Sequence, residues 1–592
     1  MERVSGIAAS QGVAIGPALV YRPAPLKFER RNVPNARAEV NRLNRAIEAV
    51  QIVLAALEEH AQAIIGQEEA KIFEAHGMFL ADPAFAEEIA SLIETEQINA
   101  EAAVDRVVSE LMAEFEAIED DYFRQRAADI KDISHRLLRQ LLGLQESTFF
   151  SLTHPAIILA SDLTPSDTVS FDKVMVLGLC TEIGSTTSHT AILARSLGIP
   201  AVVGVGSLNI PANTTVILDG SVGELLVDPD EATIAAYQAK QEEHAQIRSR
   251  ELAQALEPAM TPDGHRVEVV ANIGSVKEAD QALKMGAEGV GLLRTEFLFL
   301  QGDRLPSEEE QYRIYRAIAN VFQQLPLIIR TLDVGGDKDL PSIELPAEQN
   351  PFLGQRAIRL CLARPEIFQT QLRAILRAGH ERNVKIMFPM IGSEDELQQA
   401  VAHVEQAKAT LAAAGVPHAA TLDIGIMIEI PSAALMADVL APQVDFFSIG
   451  TNDLAQYTLA VDRTNEQVAH LADPLHPAVI RLIHQVIQAA HQHGKWVGLC
   501  GEMAGDPLAV PLLLGLGLDE FSMAAVSIPP IKAQIRGLSL AQARQIAEEC
   551  LRLPNLHRVR EFLGDDRADK IPTPAQVNSY SLDNGDRLPD QS

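Results

Sequence analysis

The alternation of apolar and polar positions separates the first 230 residues into two kinds of sequence. A strand-like start over residues 6–21 and a later stretch over 155–227 contain short apolar runs bounded by turn residues, such as Ala156–Ala160, Lys173–Leu177 and Thr215–Leu218. Runs of this length are typical of buried strands, and helical sequence separates them. We therefore expect one α/β domain built from both stretches.

Between these stretches, residues 36–144 follow a helical period instead. One apolar stripe with a charged opposite face is formed by Val40, Leu43, Ile47, Val50, Leu54 and Leu57. Asp82-Pro83 marks a break between helices, because proline cannot continue a helix that precedes it. The pattern predicts an antiparallel helical bundle inserted into the α/β domain.

Beyond Pro262 the pattern becomes a regular strand–helix alternation. We predict eight strands, at Val267–Ile273, Val290–Arg294, Leu327–Val334, Lys385–Met390, Ile424–Ile430, Phe446–Thr451, Trp496–Cys500 and Glu520–Met523. Eight such units over roughly 300 residues are typical of a (β/α)₈ TIM-type barrel. The fold class is therefore a multidomain α/β protein.

These patterns predict five segments. They are an α/β domain over 1–21 and 148–230, an inserted helical domain over 22–147, an exposed linker helix over 231–260, a barrel over 261–563, and a tail over 564–592. The tail is rich in Pro, Asp, Asn and Ser, so we expect it to be disordered.

Composition and charge narrow the possible functions. The 592 residues are 47% hydrophobic and carry a formal net charge of −31, which disfavours a large nucleic-acid surface and suits a basic protein partner. No apolar run is long enough to span a bilayer, and the first residues lack the form of a secretory signal. The four cysteines are far apart, without the spacing of a metal site or a disulfide framework. We expect a cytoplasmic protein.

Charged and polar residues follow the predicted barrel strands, at the end where barrel enzymes carry their sites. They are Arg294, Arg330, Arg356, Glu429, Asn452, Asp453 and Arg463. Arginines suit a phosphate or carboxylate, and Glu429 with Asp453 offers oxygen ligands for magnesium. Ordinary salt bridging is the alternative for any single pair, but the whole set favours a site. Cys500 ends strand seven beside Glu502; it is either a buried apolar residue or a proton donor.

The chain has 16 histidines, and His189 stands apart from the other fifteen. A small, hydroxyl-rich loop, Gly184-Ser185-Thr186-Thr187-Ser188, runs into a helix whose first turn contains it. Helix amino termini bind anions and disfavour the protonated imidazole, so a neutral, nucleophilic ring is expected. The alternative is that His189 only caps or packs the helix.

These residues closely resemble enzyme I of the phosphoenolpyruvate-dependent sugar phosphotransferase system, over nearly the whole chain. The family's phosphohistidine motif, Gly-Gly-x-Thr-Ser-His, corresponds to residues 184–189, with Ser185 in place of the second glycine. The helical insert matches at 70–76 and 122–129. The barrel matches at 291–297, 335–338, 350–354 and 449–454.

The resemblance implies a mechanism and a role for each residue. His189, helped by Thr168, would take the phosphoryl group of phosphoenolpyruvate and pass it to the phosphocarrier protein HPr on the helical domain. The α/β domain would swivel between the two. Substrate binding would fall to Arg294, Arg330, Arg356, Asn452, Asp453 and Arg463; Glu429 and Asp453 would hold Mg²⁺, and Cys500 would protonate the enolate to give pyruvate. The resemblance also implies a homodimer through the barrel.

Two rival functions remain. A pyruvate phosphate dikinase or phosphoenolpyruvate synthase shares the histidine domain and the barrel but needs a large ATP-binding region, and only about 150 residues precede the later part of the α/β domain. A non-catalytic signalling scaffold is the rival of another class. Loss of His189, Arg294, Glu429 or Asp453 would have favoured it, and all four are present.

Overall fold

The chain folds into two compact units, Met1–Gln246 and Ile247–Ser592, in a computed structural model. The structure describes residues 1–21, 26–64, 67–116, 121–144, 154–164, 174–184, 188–300, 304–336, 348–465 and 467–564. No helix within these ranges is both long and apolar enough to cross a membrane.

The first unit contains an eight-stranded mixed sheet with the strand order β1-β8-β7-β3-β4-β5-β6-β2. Its strands are β1 (Glu2–Ser5), β2 (Ile7–Ser10), β3 (Val13–Tyr21), β4 (Ala156–Ala160), β5 (Val176–Thr181), β6 (Ala201–Val203), β7 (Thr215–Asp219) and β8 (Glu224–Val227). Strand β3 pairs in parallel with β4 and antiparallel with β7. The two stretches of sequence on either side of the helical insert therefore form one sheet, as expected.

The helical insert forms five helices within the described residues. They are α1 (Ala36–Ile64), α2 (Gln67–Ala81), α3 (Pro83–Glu96), α4 (Ala100–Glu116) and α5 (Asp121–Leu141). The predicted break is confirmed: Asp82 caps α3, and its carboxylate accepts the backbone N–H of Ala84 at 2.9 Å. The apolar stripe of α1 is buried at Leu43, Val50 and Leu54, so the periodicity correctly located the face that packs.

Two further helices complete the first part of the chain. Helix α6 (His189–Leu197) follows β5, and α7 (Glu231–Ala253) leads from the first unit into the second. Helix α7 buries none of its residues. The predicted exposed linker helix is therefore present, but it ends at Ala253 and not at residue 260.

The second unit is a closed barrel of eight parallel strands. Its strands are β9 (Glu268–Ile273), β10 (Val290–Leu293), β11 (Leu327–Arg330), β12 (Val384–Phe388), β13 (Ile424–Ile428), β14 (Phe446–Ile449), β15 (Trp496–Leu499) and β16 (Glu520–Met523). Strand β16 pairs with β9 and closes the ring. The TIM-type barrel predicted from the sequence is confirmed.

Helices surround the barrel and bury its outer face. They are α8 (Val276–Lys284), α9 (Glu296–Leu300), α10 (Glu308–Phe322), α11 (Ile358–Ala363), α12 (Pro365–Ala378), α13 (Glu394–Ala413), α14 (Pro431–Leu435), α15 (Ala437–Leu440), α16 (Thr451–Leu459), α17 (Pro477–Gln492), α18 (Val510–Leu516), α19 (Ile528–Gly537), α20 (Leu540–Arg552) and α21 (Leu556–Leu563). Inside the ring of strands, a separate apolar cluster that contains Leu292, Ile328, Met387 and Phe446 fills the barrel interior. This packed interior separates the two mouths of the barrel.

Two predicted strands have a boundary that is wrong by more than two residues, and the other predicted strands agree with the structure to within two residues at each end. The strand expected at Lys173–Leu177 begins at Val176, and Val174 is 74% exposed in a turn. The strand continues through Gly178, a weak strand former. A β-carbon there would lie 2.7 Å from a methyl group of Leu218, so close packing accounts for the glycine. In the barrel, the strand predicted at Leu327–Val334 ends at Arg330. The expected disordered tail falls on residues 565–592, outside the described part of the chain, except for Gly564, which ends α21.

Candidate active site

A row of alternating charges crosses the carboxyl-terminal mouth of the barrel. In order, its members are Glu296, Arg330, Asp333, Arg356, Asp453 and Arg463. The nitrogen–oxygen distances between successive members are 2.9, 3.0, 3.1, 3.0 and 3.4 Å. The structure thus brings together three of the four predicted arginines with the carboxylate of Asp453.

Arg356 is the centre of this row and is only 2% exposed. Its Nε and Nη2 donate to Asp333, at 3.1 and 3.4 Å, and its Nη1 and Nη2 donate to Asp453, at 3.0 and 3.4 Å. Nη1 also donates to the hydroxyl of Tyr457 at 3.2 Å. Although burial opposes its charge, the carboxylates of Asp333 and Asp453 raise the pKa of Arg356, so the guanidinium stays ionised.

Arg330 ends β11 and is also buried, at 6% exposure. Its Nη2 donates to Glu296 at 2.9 Å and its Nη1 lies 3.0 Å from Asp333. Its Nε is buried without a hydrogen-bond partner among the described residues. A buried N–H without a partner is costly, and an anionic ligand in the mouth would satisfy it.

Glu429 follows β13 and is 1% exposed. Its Oε1 accepts the backbone N–H of Met390 at 2.6 Å, and Met390 has a left-handed φ of 57°. Burial, and then repulsion from Asp453 and Asp333, raises the pKa of Glu429 to about 8. The carboxylate is therefore held where its negative charge is poorly compensated.

The carboxylates of Glu429 and Asp453 fit a divalent cation. Glu429 and Asp453 follow the neighbouring strands β13 and β14, and their mutual repulsion would be relieved by a positive ion between them. Within the described residues, no hydrogen bond reaches Oε2 of Glu429. Magnesium is commonly held by one or two protein carboxylates together with substrate oxygens, so two ligands suffice.

Cys500 directly follows β15 and is 5% exposed, inside the barrel mouth. Burial raises the pKa of its thiol to about 11. The thiol is therefore protonated at neutral pH and can serve as an acid, but not as a ready nucleophile. Its Sγ lies 3.8 Å from the carbonyl oxygen of Ile449 on the adjacent strand.

The remaining predicted residues lie at the same mouth with fewer contacts. Arg294 follows β10 and is exposed; none of the hydrogen bonds or ion pairs of the described residues involves its side chain. Arg463 is more open than Arg330, with 28% of its side chain exposed. Asn452 accepts the backbone N–H of Glu502 at 3.3 Å through Oδ1, which ties the ends of β14 and β15 together. Glu502 itself is exposed.

Two glycines allow these strand ends to approach closely. A β-carbon on Gly501 would lie 1.9 Å from Oγ1 of Thr451, and one on Gly450 would lie 3.1 Å from Oε2 of Glu429. A side chain at position 501 would displace the start of α16, which presents Asp453, whereas one at position 450 would press on the carboxylate of Glu429. Packing at the mouth therefore favours glycine at both positions and most strongly at 501.

Several supporting residues had no role assigned from the sequence. Glu296 and Asp333 are found at strand ends by the same rule, and in the structure they hold the buried arginines. Gln371 is fully buried on α12; its Nε2 donates to Thr295 at 3.1 Å and its Oε1 accepts the N–H of Leu332 at 2.9 Å. Tyr457 donates to the carbonyl of Phe352 at 2.6 Å. Neither Gln371 nor Tyr457 has a signal in the sequence, because each lies within an ordinary helix.

His189 lies in the first unit, where it is the first residue of α6. The hydroxyl of Ser188 caps this helix by accepting the N–H of Ala191 at 3.4 Å, and the hydroxyl of Thr190 donates to the carbonyl of Leu163. The loop backbone has a φ of +129° at Gly184, a conformation that favours glycine. Thr168, predicted to support His189, and Ser185, which replaces the second glycine of the motif, lie outside the described residues.

Comparison with known proteins covers both units. Domain models match at residues 5–126 (PEP-utilising enzyme, N-terminal), 152–223 (PEP-utilising enzyme, mobile domain) and 248–540 (PEP-utilising enzyme, PEP-binding domain). The phosphoenolpyruvate-protein phosphotransferase of Priestia megaterium is 47% identical over 564 residues, which cover 95% of this chain and 98% of that protein. Those of Geobacillus stearothermophilus and Bacillus subtilis (strain 168) are 46% and 45% identical over 95% of this chain, and over 97% and 99% of their own lengths. The chain therefore belongs to the phosphoenolpyruvate-protein phosphotransferase family.

Proposed function

We propose that this protein transfers the phosphoryl group of phosphoenolpyruvate to its own His189 and then to a histidine of the phosphocarrier protein HPr, releasing pyruvate. This is the first step of sugar uptake by the phosphotransferase system. The observation that carries the proposal is the set of buried arginines and carboxylates at the barrel mouth, in a chain of this family. An ATP-dependent dikinase and a non-catalytic scaffold are not supported, because the relatives that match along the whole chain are named as phosphotransferases.

Phosphoenolpyruvate carries a phosphate and a carboxylate, and the mouth offers cations for both. Arg330 and Arg356 are held in place by Glu296, Asp333 and Asp453, so little side-chain entropy is lost when they bind. Arg294 and Arg463 lie nearer to solvent and would close over the substrate from outside. Backbone groups of Asn452 and Asp453, at the start of α16, would contribute N–H donors.

Glu429 and Asp453 would hold Mg²⁺. When bound, the ion would neutralise negative charge on the transferring phosphoryl group. Arg356 and Arg463 both donate to Asp453. Ion binding therefore requires these arginines to give up some of their hydrogen bonds to Asp453. They would donate to the oxygens of the substrate instead. Binding of ion and substrate should be mutually dependent.

The chemical step exchanges one phosphorus bond for another. The neutral imidazole of His189 attacks the phosphorus in line, the bond from phosphorus to the enol oxygen breaks, and a nitrogen–phosphorus bond forms. The enolate takes the thiol proton of Cys500 at its methylene carbon, and pyruvate leaves. The high pKa of the Cys500 thiol keeps that proton available.

The second half of the reaction needs an acceptor. HPr would dock on the helical insert through its basic face, as the formal charge of −31 favours. His189 belongs to a different unit from the barrel, so a swing of the α/β domain would carry it from donor to acceptor. We further propose that the protein acts in the cytoplasm as a homodimer joined through its barrels.

The test measures both products. The full chain is incubated with phosphoenolpyruvate, with and without Mg²⁺ and HPr, and pyruvate and phospho-HPr are quantified. We expect equal amounts of both, strict dependence on Mg²⁺, and loss of both products in His189→Ala. His244→Ala is the matched control, because His244 is exposed on the linker helix and outside every motif. Phospho-HPr formed by His189→Ala would refute the proposal, and so would phospho-HPr formed from ATP alone.

A further inference from the structure

The barrel has a second opening, at the amino-terminal ends of its strands. A cavity of about 470 Å³ lies there, lined among others by Glu268, Lys385, Trp496 and Glu520. Glu268, Trp496 and Glu520 are the first residues of β9, β15 and β16. The cavity is therefore at the mouth opposite the phosphoenolpyruvate site, and the packed interior of the barrel separates the two. Its volume is in the range of small-molecule sites.

Glu520 is the unusual group in this cavity. It is 2% exposed, and its Oε1 has no hydrogen-bond partner within the described residues. A β-carbon on Gly498, its neighbour on β15, would lie 2.8 Å from that oxygen. The absence of a side chain at Gly498 thus leaves room for the carboxyl group inside the barrel. A buried carboxyl oxygen without a donor is costly unless something in the cavity supplies one.

A second carboxylate faces the same space. Glu268 is the register partner of Glu520 on the adjacent strand, so the two side chains point to the same face of the sheet. No hydrogen bond of the described residues reaches the carboxylate of Glu268. Burial, and then repulsion from Glu268, raises the pKa of Glu520 to about 8, while Lys385 lowers it and Asp519 raises it. The pair is short of positive charge.

The other polar groups around the cavity already have partners. Lys385 donates to Asp423 at 2.6 Å, and Arg266 lies 3.2 Å from Glu288. Asp519 lies 2.8 Å from Nε2 of His491 and also accepts the N–H of Val497. The missing component is therefore a hydrogen-bond donor that carries positive charge.

The walls of the cavity suit a short apolar stem. Trp496 stacks on Phe446 with ring centroids 4.6 Å apart and an interplanar angle of 6°, and Pro326 lines the cavity as well. The ammonium of Lys385 lies 5.4 Å from the centre of the Trp496 ring, within the range of a cation–π contact.

We propose that the amino-terminal mouth of the barrel binds a small organic amine, whose ammonium group pairs with Glu520 and Glu268 and whose alkyl stem lies against Trp496. This site is independent of the proposed function, since none of its residues belongs to the phosphoenolpyruvate site. The competing interpretation is that the amino-terminal face only stabilises the barrel, as it does in many barrel enzymes.

The experiment uses the full chain saturated with phosphoenolpyruvate and Mg²⁺, so that the acidic groups of the active site are occupied. The probe is 1,4-diaminobutane at constant ionic strength, with 1,4-butanediol as its uncharged counterpart. Trp496 is the single tryptophan of the chain and lines the cavity, so tryptophan fluorescence reports binding directly, and calorimetry gives the affinity.

We expect saturable binding of the diamine and none of the diol. Glu520→Gln should weaken binding by at least tenfold, and Glu268→Gln should weaken it by a smaller factor. Glu548→Gln, an exposed change on α20, is the control and should bind within twofold of the unchanged protein. Non-saturable binding, equal binding of the diol, or full affinity in both Glu520→Gln and Glu268→Gln would overturn the proposal. If Glu520→Gln fails to fold, the affinity of Glu268→Gln and the comparison with the diol still test whether the cavity binds the amine.

Discussion

Arg356→Met is the substitution that tests the charge row most sharply. Methionine has a similar length and no donors, so it removes every hydrogen bond of the guanidinium while filling much of its space. Asp333 and Asp453 each lose a partner that now lies 3.0 to 3.4 Å away. Both remain buried, at 2% and 7% exposure.

The expected cost follows from what the carboxylates retain. Removing one partner of a buried ion pair costs about 3–5 kcal/mol. Asp333 keeps Arg330 at 3.0 Å and Asp453 keeps Arg463 at 3.4 Å, so neither carboxylate is left alone. We therefore expect the lower end, about 3 kcal/mol, which is roughly a hundredfold change in the unfolding equilibrium.

Unfolding of the barrel can be followed separately from unfolding of the first unit. Trp496, the single tryptophan, is in β15, so its fluorescence during guanidinium unfolding reports the second unit and not the first. The matched control is Arg359→Met, three residues away. The Arg359 side chain is 38% exposed with one ion pair, to Glu396 at 3.5 Å, and its loss should cost under about 1 kcal/mol. An Arg356→Met barrel as stable as the Arg359→Met barrel would refute this reasoning.

Three further predictions concern other buried groups. Lys532→Met should lower the free energy of unfolding of the barrel by about 2–4 kcal/mol in the same assay. Lys532 is fully buried and donates to the carbonyls of Ala255, Glu257 and Gly286 at 2.7 to 3.2 Å. Lys284→Met, at an exposed position, is the control. Cys500→Ala should slow pyruvate release while phosphoenolpyruvate affinity, measured by calorimetry, is retained; lost affinity would indicate a structural role. Glu520 has a pKa raised from 4.5 to about 8, so the folded state holds its proton more tightly and stability falls as pH rises through that interval. Glu520→Gln removes this loss, and its advantage over the unchanged protein should grow between pH 5 and pH 9 by up to about 4 kcal/mol; equal differences at both pH values would contradict it.

The barrel was predictable because its strands are short apolar runs at regular intervals. The carboxyl ends of these strands were not predictable, as β11 shows. Residues 331–334 read as a continuing strand, but the N–H of Leu332 bonds to Gln371 and that of Asp333 bonds to Glu296. Those partners are side chains 39 and 37 positions away, so no local pattern indicates that the chain leaves the sheet there.

The candidate site was predictable to a similar degree. The rule that barrel sites lie at the strand ends located Arg330, Glu429 and Asp453. It could not indicate that Arg356 bridges Asp333 and Asp453, because that bridge joins positions 23 and 97 residues apart. Helical residues such as Gln371 have no feature in the sequence that distinguishes them from ordinary polar positions.

The central claim is that the barrel loads one phosphoryl group onto His189. The most direct measurement is a single turnover with ³²P-labelled phosphoenolpyruvate and Mg²⁺ in the absence of HPr, followed by peptide mapping of the chain. We expect one acid-labile, base-stable phosphoryl group per chain, located on His189, with one pyruvate released for each. Label on any other residue, or stable label on the His189→Ala protein, would contradict it.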